Sequence, residues 1–427
     1  MKGHKGFSWF RLDNAAKIYP ASHNRYWSNL YRLSVTLKEE VDLKTLEQAL
    51  KNTIPRFPSI AARLSMGLFW YYLRPIDTPP DILAEYSYPL SYMSKKEFKT
   101  CAFRVIVYRK RIAVEIFHSL TDGTGGMIFV KSLVAEYLEL KHNIEIPCEN
   151  GVLSRKERPK HYEIEDSFLK NGAKIKESRK DTNAWRIDGT LEEDAFLNVT
   201  NFQMSTDTIL NLAREKKVTV NTYLTAVLMK AILTLQFDLV KNPKKYKPVK
   251  VLVPINLRPI YNSKTLRNFT LYLIPEIDPR LGDYTLDEII NVVHHKIGAG
   301  ATKKNMSKMI ETNISDERSF LVRLIPLFLK NFVMKMVFNS VGEKKSCLSF
   351  SNIGQIRLPD IMTEFIDRMD FILGPQAQAP YNCSAYSYNG ILNVTFSRDI
   401  KEARLETYFF RELQKLGVEV TVQTNQR

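Results

Sequence analysis

Residues Ile112–Gly126 have the sequence IAVEIFHSLTDGTGG, and this stretch decides the fold. The run Ile112–Phe117 is rich in β-branched residues and predicts a strand. A similar run at Phe103–Tyr108 precedes it, and the tight basic link Lys110-Arg111 makes the two a hairpin. Apolar residues at helical spacing follow the glycines and predict a helix over about Met127–Leu140. The polar motif therefore lies between a strand and a helix.

His118 is the candidate reactive residue of this motif, followed by Asp122 and Gly123. A strand end fixes an imidazole ring, and an ordinary histidine pKa near 6.5 lets the ring take a proton at neutral pH. Glycines let the backbone turn sharply and leave room for a ligand. A histidine in this place also fits a packing role. The strand before it, the glycines and the helix after it favour the catalytic interpretation.

The length of 427 residues exceeds what one ordinary core accommodates and predicts two domains or a pseudo-symmetric pair. Apolar residues make up 44% of the chain, enough for two cores, and charged residues 25%, as in globular proteins. Apolar periodicity stops between about 151 and 190, where charged and breaker residues predict a crossover on the surface. The predicted domains are 1–150 and 191–427, and both mix strands with helices, which predicts an α/β architecture.

The net charge of +16 indicates an anionic partner or a solvated basic surface. Nucleic acid, an anionic membrane and a phosphorylated small molecule all fit such a charge. Lys and Arg are spread along the chain without a nucleic-acid-binding motif, so a nucleic-acid partner is not expected. The solvated surface is the preferred interpretation, and a phosphate-bearing ligand is compatible with it.

The four cysteines, Cys101, Cys148, Cys347 and Cys383, are far apart and never have CxxC spacing. This spacing predicts neither a disulfide framework nor a metal site, and reduced thiols are typical of a cytoplasmic protein. Residues 1–20 lack the apolar core of a signal peptide.

The most hydrophobic later stretch, Phe320–Phe338, contains Arg323, Lys330 and Lys335. These charges argue against a membrane-spanning segment, which needs about 20 mostly uncharged residues. The stretch predicts instead a buried or groove-lining amphipathic helix.

The segment HSLTDG resembles the HxxxDG motif of the coenzyme A-dependent acyltransferase superfamily. That superfamily includes chloramphenicol acetyltransferases, carnitine acyltransferases, plant acyltransferases and peptide-synthetase condensation domains. The resemblance is nearest to the alcohol acetyltransferases and covers nearly the whole chain. Supporting matches occur at family-like intervals in DNAAKIYPASHNRYW at Asp13–Trp27, VTVNTYLTAVL, PINLRP at Pro254–Pro259, NFTLYL from Asn268 and SNIGQIRLP at Ser351–Pro359.

This resemblance implies two chloramphenicol-acetyltransferase-like domains, each a mixed sheet with helices, and an active-site tunnel at their interface. His118 would be the general base that transfers an acyl group, acetyl being the expected one, from acyl-CoA to a small alcohol or amine. It implies acyl-CoA as a co-substrate, no permanently bound cofactor and no metal. The family's motif Asp is structural, so Asp122 would form an ion pair with Arg258. An ordinary surface arginine is the alternative for Arg258.

Ser351 and Asn352 lie in the SNIG match and are candidates for lining the tunnel or for stabilising an oxyanion. The end of a sheet strand is an equal alternative for them. Two other functions stay open: a condensation-type enzyme that takes its acyl group from an acyl carrier protein, and a non-catalytic relative that binds acyl or pantetheine groups. Condensation domains usually carry a second histidine before the motif histidine, where this chain has Phe117. The intact His118, Asp122 and Gly123 argue against a non-catalytic relative.

Overall fold

The computed structural model describes residues 8–25, 27–172, 182–318, 324–337, 343–374 and 379–426. Its strands are β1 (Phe10–Arg11), β2 (Leu30–Leu37), β3 (Ala62–Met66), β4 (Tyr71–Pro75), β5 (Ile82–Ala84), β6 (Phe103–Tyr108), β7 (Arg111–Phe117), β8 (Asn198–Ser205), β9 (Val249–Asn256), β10 (Thr270–Leu273), β11 (Glu276–Ile277), β12 (Leu348–Gln355), β13 (Ile366–Leu373), β14 (Tyr381–Tyr388), β15 (Ile391–Arg398) and β16 (Thr421–Thr424).

The helices within those ranges are α1 (Ile18–Ser22), α2 (Leu43–Thr53), α3 (Lys95–Phe98), α4 (Gly123–His142), α5 (His161–Ile164), α6 (Ser167–Asn171), α7 (Thr206–Glu215), α8 (Val220–Leu239), α9 (Arg258–Tyr261), α10 (Leu286–Gly300), α11 (Lys303–Arg318), α12 (Leu327–Val337), α13 (Asp360–Thr363) and α14 (Arg404–Lys415).

Two large sheets organise the chain. The five-stranded sheet has the order β13-β2-β7-β6-β5, and the eight-stranded sheet has the order β10-β9-β12-β14-β15-β8-β16, with β11 paired to β9. A small sheet has the order β1-β4-β3. Both large sheets are mixed, because β5 runs parallel to β6 and β12 runs parallel to β9 and β14, whereas their other pairs are antiparallel. The predicted α/β class with mixed sheets and helices is confirmed.

Alternation along β2 and β7 gives the five-stranded sheet two different faces. Leu33 and Val114 are paired across the strands and belong to the apolar core that includes α2 and α4. Arg32 and Glu115, the next pair, point to the opposite face. There Glu115 accepts hydrogen bonds from Arg32 at 3.2 Å and from Arg104 Nε at 2.7 Å. The sheet therefore buries one apolar face and holds a charged network on the other.

Strand β13 interlocks the two halves of the chain. It lies late in the sequence but pairs with β2 at the edge of the five-stranded sheet, with Phe371 opposite Leu33. The same strand contacts β14 of the eight-stranded sheet. The sequence analysis assigned no strand to residues 366–373, so this exchange was not predicted. The domain limits 1–150 and 191–427 stay predictions. Strand β13 lies within 191–427 in the sequence, but it pairs with the sheet of residues 1–150.

The crossover segment is partly buried, so the expectation of a surface linker is wrong for its middle. Glu163 is 5% exposed and Phe168 is fully buried. Arg56 of the first half donates two hydrogen bonds of 2.7 Å to the Glu163 carboxylate. Phe168 packs edge-on against Phe269 of the second half. The high charge of the segment concealed these two anchors, because a paired charge has the same sequence signature as a solvated one.

Several predicted element limits shift by a few residues. Helix α4 begins at Gly123 because the Asp122 side chain accepts the Gly125 N–H as a cap. Helix α8 is capped by Thr219, whose side chain accepts the Thr222 N–H. The hairpin link is Arg109-Lys110, since β7 already begins at Arg111.

Helix α8 is the one described helix that is long and apolar enough to cross a membrane, but 72% of its apolar window is buried inside the protein. It packs against α10 and α14 and is the central helix of the second core. A helix that is apolar on all sides fits such a buried position.

We expect Glu163→Gln to lower the free energy of unfolding by about 3–5 kcal/mol, because it leaves the buried Arg56 guanidinium without its counter-charge. Urea denaturation measures this change. Glu157→Gln is the matched control, since the Glu157–Lys160 pair of the same segment is exposed and should contribute less than about 1 kcal/mol. Equal losses for the two variants would contradict the anchoring role of Glu163.

Candidate active site

His118 follows the last residue of β7 and is held on three sides. Its backbone N–H donates to the Asn29 carbonyl at 3.0 Å. The ring stacks on Tyr19 of α1, with centroids 4.7 Å apart, and meets the edge of Tyr31 at 5.2 Å. The residue still keeps part of its surface accessible to solvent. The imidazole is therefore fixed in orientation without being sealed off.

Asn268 determines which ring nitrogen of His118 carries the proton. The Asn268 amide nitrogen lies 3.2 Å from Asp13 Oδ2 and 3.1 Å from the His118 carbonyl oxygen, both of which are acceptors. Its amide oxygen lies 3.2 Å from His118 Nδ1. Because an amide oxygen only accepts, Nδ1 is the donor, and Nε2 carries the lone pair. No described residue is hydrogen-bonded to that Nε2.

Asp13 anchors the far end of this polar chain. It is 1% exposed and accepts from the Ala16 N–H at 2.8 Å as well as from Asn268. Burial raises the pKa of Asp13 to about 6, against the opposing charge of Arg267 at 3.7 Å. The chain Arg267–Asp13–Asn268–His118 thus joins the N-terminal segment, the motif strand and the second half.

The pKa of His118 lies below its ordinary value. Loss of solvation on burial lowers the pKa, and the nearby Asp122 charge together with the hydrogen bonds to its own backbone and to Asn268 only partly offsets this. A lowered pKa keeps the imidazole neutral at pH 7. His118 therefore presents an unprotonated Nε2 under physiological conditions, which is the form that accepts a proton.

Asp122 does not orient the His118 ring. Its carboxylate accepts five hydrogen bonds of 2.9–3.1 Å, from Gly125 N, both Arg258 Nη atoms, Phe269 N and Thr270 Oγ1. Burial alone would raise the pKa of Asp122, but the Arg258 charge and these hydrogen bonds outweigh it and hold the pKa below its ordinary value. The carboxylate joins the start of α4 to the second half.

Arg258 is buried and forms a two-pronged ion pair with Asp122, so it is not a surface arginine. Its remaining donors reach the carbonyls of Thr265 at 2.8 Å and Arg267 at 2.7 Å and the Asn256 side-chain oxygen at 3.2 Å. A guanidinium with every donor engaged in this way is a rigid clamp. It holds the segment 265–267 that leads directly into Asn268.

Packing requires a glycine at 125 rather than at 123. A Cβ at Gly125 would overlap the Leu266 carbonyl oxygen and Thr121 Oγ1. A Cβ at Gly123 would meet only Ile353 at 3.4 Å and Phe371 at 3.6 Å, which is ordinary contact. Packing therefore does not require a glycine at position 123, and the site role of Gly123 stays a prediction. Gly125 lets the two halves touch at the motif.

Ser351 and Asn352 lie in the middle of β12 and are partly exposed. Asn352 Oδ1 accepts the Gly354 N–H at 2.8 Å, and among the described residues neither side chain is hydrogen-bonded to His118. The neighbouring Ile353 instead reaches Gly123 of the motif. The SNIG strand therefore comes to the start of α4, and the tunnel or oxyanion role of Ser351 and Asn352 stays a prediction.

A cleft of about 780 Å³ lies between the charged face of the five-stranded sheet and the β8–β16 edge of the other sheet. Arg32 and Asp370 line one side, and Asn201 and Thr424 line the other. His118 is not among the lining residues, so the predicted tunnel past His118 stays a prediction.

Three of the four cysteines are not placed for nucleophilic chemistry. Cys101, Cys347 and Cys383 are buried free thiols. Burial raises the pKa of Cys101 and Cys347 to about 12 and that of Cys383 well above its ordinary range. Cys148 is exposed. Since the thiolate is the reactive form, the buried thiols are inert at neutral pH.

Sequence reasoning assigned no role to Tyr19, Asn268 or Asp13, although all three contribute to the site. Asp13 and Tyr19 lie in the opening segment, and Asn268 begins NFTLYL, so each belongs to a stretch that the resemblance marked. The sequence thus marked the segments that contain these residues, but not the residues themselves. Nothing in the spacing of residues 13, 118 and 268 indicates that they meet.

Comparison with known proteins gives similarity in structure only. No protein-family model matches the chain, and no curated protein sequence matches it significantly. Among solved structures, TRI101 of F. sporotrichioides, complexed with coenzyme A and T-2, has a TM-score of 0.64 at 9% identity, over 96% of this chain and 99% of that one. Polyketide synthase associated protein 5 from Mycobacterium tuberculosis has a TM-score of 0.56 at 14% identity, over 96% and 98%.

The epimerization domain from the third module of tyrocidine synthetase B is similar to the same extent, with a TM-score of 0.58 at 12% identity over 96% of both chains. These proteins share one architecture across nearly the whole chain. The predicted fold of two chloramphenicol-acetyltransferase-like, condensation-like domains is therefore confirmed. At such identities the likeness concerns the fold alone.

We expect Gly125→Ala to lower the free energy of unfolding by about 3 kcal/mol, because backbone must move to relieve the overlap with Leu266. Gly123→Ala, two residues away in the same helix turn, is the matched control and should change stability by less than about 1 kcal/mol. Thermal or urea unfolding compares the two. A tolerated alanine at 125 would show that the halves do not meet at the motif as described.

Proposed function

We propose that this protein is an acyltransferase that moves an acyl group, with acetyl expected, from coenzyme A to an alcohol or amine, with His118 as the general base. The observation that carries the proposal is the imidazole whose Nδ1 proton is held by Asn268 and whose neutral Nε2 is left available. The TRI101 structure with coenzyme A supports this choice of donor for the fold. Acyl-CoA is a co-substrate in this scheme.

The proposed reaction needs one base and no covalent enzyme intermediate. His118 Nε2 takes the proton of the acceptor O–H or N–H as the acceptor oxygen or nitrogen bonds to the thioester carbonyl carbon. The tetrahedral intermediate then breaks its C–S bond, and the imidazolium returns the proton to the departing thiolate. The acyl product and free coenzyme A thiol leave, and His118 is neutral again.

Asp122 and Arg258 act in this proposal as positioning residues. Their ion pair fixes the start of α4 against the segment that carries Asn268. Asn268 in turn holds the His118 tautomer. Ser351 and Asn352 are proposed for the tunnel wall or for stabilising the oxyanion, which needs hydrogen-bond donors.

Release of free thiol from acetyl-CoA, with and without a panel of alcohols and amines, tests the proposed reaction. Acceptor-dependent thiol release supports acyl transfer from coenzyme A. Transfer only from an acyl group on a carrier protein would favour the condensation-type alternative, which similarity to the tyrocidine synthetase domain keeps relevant. Binding of acyl-CoA without turnover for any acceptor would favour a non-catalytic relative.

We expect His118→Ala to lower kcat about 10²–10⁴-fold, the usual effect of a lost general base, while acetyl-CoA still binds. Steady-state kinetics and calorimetric titration with acetyl-CoA measure the two effects. His161→Ala replaces an exposed histidine and should leave both unchanged. Turnover near the wild-type rate in His118→Ala would overturn the proposed mechanism.

We expect the acidic limb of the kcat/KM profile to have its midpoint below pH 6.5, because burial lowers the pKa of His118 and the neutral form is active. Asn268→Ala removes the hydrogen bond at Nδ1 that favours the imidazolium, so the midpoint should move to lower pH and kcat/KM should fall. His161→Ala replaces an exposed histidine and should leave the midpoint unchanged. A midpoint that stays in place or rises in Asn268→Ala would contradict the contact between Asn268 and the base.

A further inference from the structure

Helix α12 turns several apolar side chains outward, although Leu327 is buried. The expectation of a buried or groove-lining helix in this stretch is wrong for the residues that the structure describes. Phe328 is 71% exposed and Phe332 is 65% exposed. The exposed positions recur every three or four residues and so form one stripe, which consists of Phe328, Leu329, Phe332, Val333 and Met336. Exposed apolar stripes of this kind mark interaction sites.

Polar contacts on the inner side keep the helix in this orientation. Lys330 is 6% exposed, donates to the Phe69 carbonyl at 3.2 Å and lies 3.6 Å from the centre of the Trp70 ring. Asn331 Nδ2 donates to the Tyr71 hydroxyl at 3.0 Å. A rotation that buried Phe328 or Phe332 would break these contacts. The outward stripe is therefore a defined feature of the fold.

The β3–β4 hairpin tip extends the apolar stripe. Leu68 is 73% exposed and Met66 is 66% exposed. The Leu68 carbonyl accepts the Leu327 N–H at 2.8 Å, so the tip abuts the start of α12. We call the combined surface the α12 surface, and it consists of Met66, Leu68, Phe328, Leu329, Phe332, Val333 and Met336.

The charges around the α12 surface are positive. Arg11, Lys17 and Lys330 lie 5.6, 5.2 and 3.6 Å from the centre of the Trp70 ring at its base. Residues 60–75 and 324–337, which supply the surface, contain Arg63, Arg74, Lys330 and Lys335 but no Asp or Glu. The chain as a whole carries +16. Exposed Phe, Leu and Met beside basic side chains are the composition of helices that lie in the headgroup region of membranes.

We propose that the α12 surface docks this protein on an anionic lipid bilayer. Phe328 and Phe332 enter the boundary between headgroups and acyl chains, and the exposed Arg63 and Arg74 of the adjoining β3–β4 hairpin face the lipid phosphates. Helix α12 contacts α1, whose Tyr19 stacks on His118. Helix α1 thus lies between α12, which carries the proposed docking surface, and His118 of the candidate active site. The proposal concerns binding and does not depend on acyl transfer.

Co-sedimentation of the full chain with lipid vesicles tests the proposal. We expect binding to phosphatidylcholine vesicles that contain phosphatidylserine and weaker binding to phosphatidylcholine alone, because the anionic lipid supplies the electrostatic part. The double variant Phe328→Asp/Phe332→Asp should weaken binding to the anionic vesicles about tenfold or more. Both positions are exposed, and circular dichroism melting checks that the variant stays folded.

A matched double variant separates the α12 surface from general hydrophobicity. Leu43 is 51% exposed and Leu281 is 81% exposed, and both lie outside the α12 surface. Leu43→Asp/Leu281→Asp adds the same charge and should bind vesicles as the wild type does. Equal binding by both double variants, or no binding of the wild type to anionic vesicles, would overturn the proposal. A third outcome would also overturn it. If light scattering shows that the wild type is a dimer, that Phe328→Asp/Phe332→Asp is a monomer, and that neither binds vesicles, then the α12 surface is covered by a second copy of the chain.

Discussion

The buried carboxylate of Asp122 accepts five hydrogen bonds, and four of them come from the second half of the chain. A buried charge is tolerated only where such partners replace its lost hydration. The hydrogen bonds to Asp122 therefore fix helix α4, Arg258 and the start of β10 relative to one another. The position of His118 follows, because it lies four residues before Asp122 and contacts Asn268 just before β10.

A second polar chain, which does not include Asp122 itself, orients the base. The Asn268 amide group has two acceptors on its nitrogen side, Asp13 and the His118 carbonyl, so its oxygen faces His118 Nδ1. Reversing the amide would place its oxygen against both acceptors. The tautomer of His118 is thus set by three segments that are distant in sequence. The motif provides the imidazole ring, and distant segments of the fold determine which of its nitrogens carries the proton.

The hairpin before the motif and the α/β class could be predicted from local sequence patterns. Arg258 could be named as the partner of Asp122 because it lies in PINLRP, one of the segments that carry the family resemblance. The sequence did not predict the exchange of β13, the burial of Glu163 or the contact of Asp13 with Asn268. These depend on pairing between distant segments, which alternation and composition do not encode. The outward face of α12 was missed because an amphipathic pattern does not tell which face points inward, and here Lys330 and Asn331 do so.

The protonation of Asp13 does not reverse the orientation of Asn268. Its pKa is raised to about 6 by burial, so the carboxyl carries a proton in mildly acidic solution. A protonated carboxyl keeps one oxygen without hydrogen, so it still accepts from the Asn268 amide nitrogen. The His118 carbonyl accepts from the same nitrogen at any pH. The choice of Nδ1 as the proton carrier therefore depends on the amide geometry and not on the charge of Asp13.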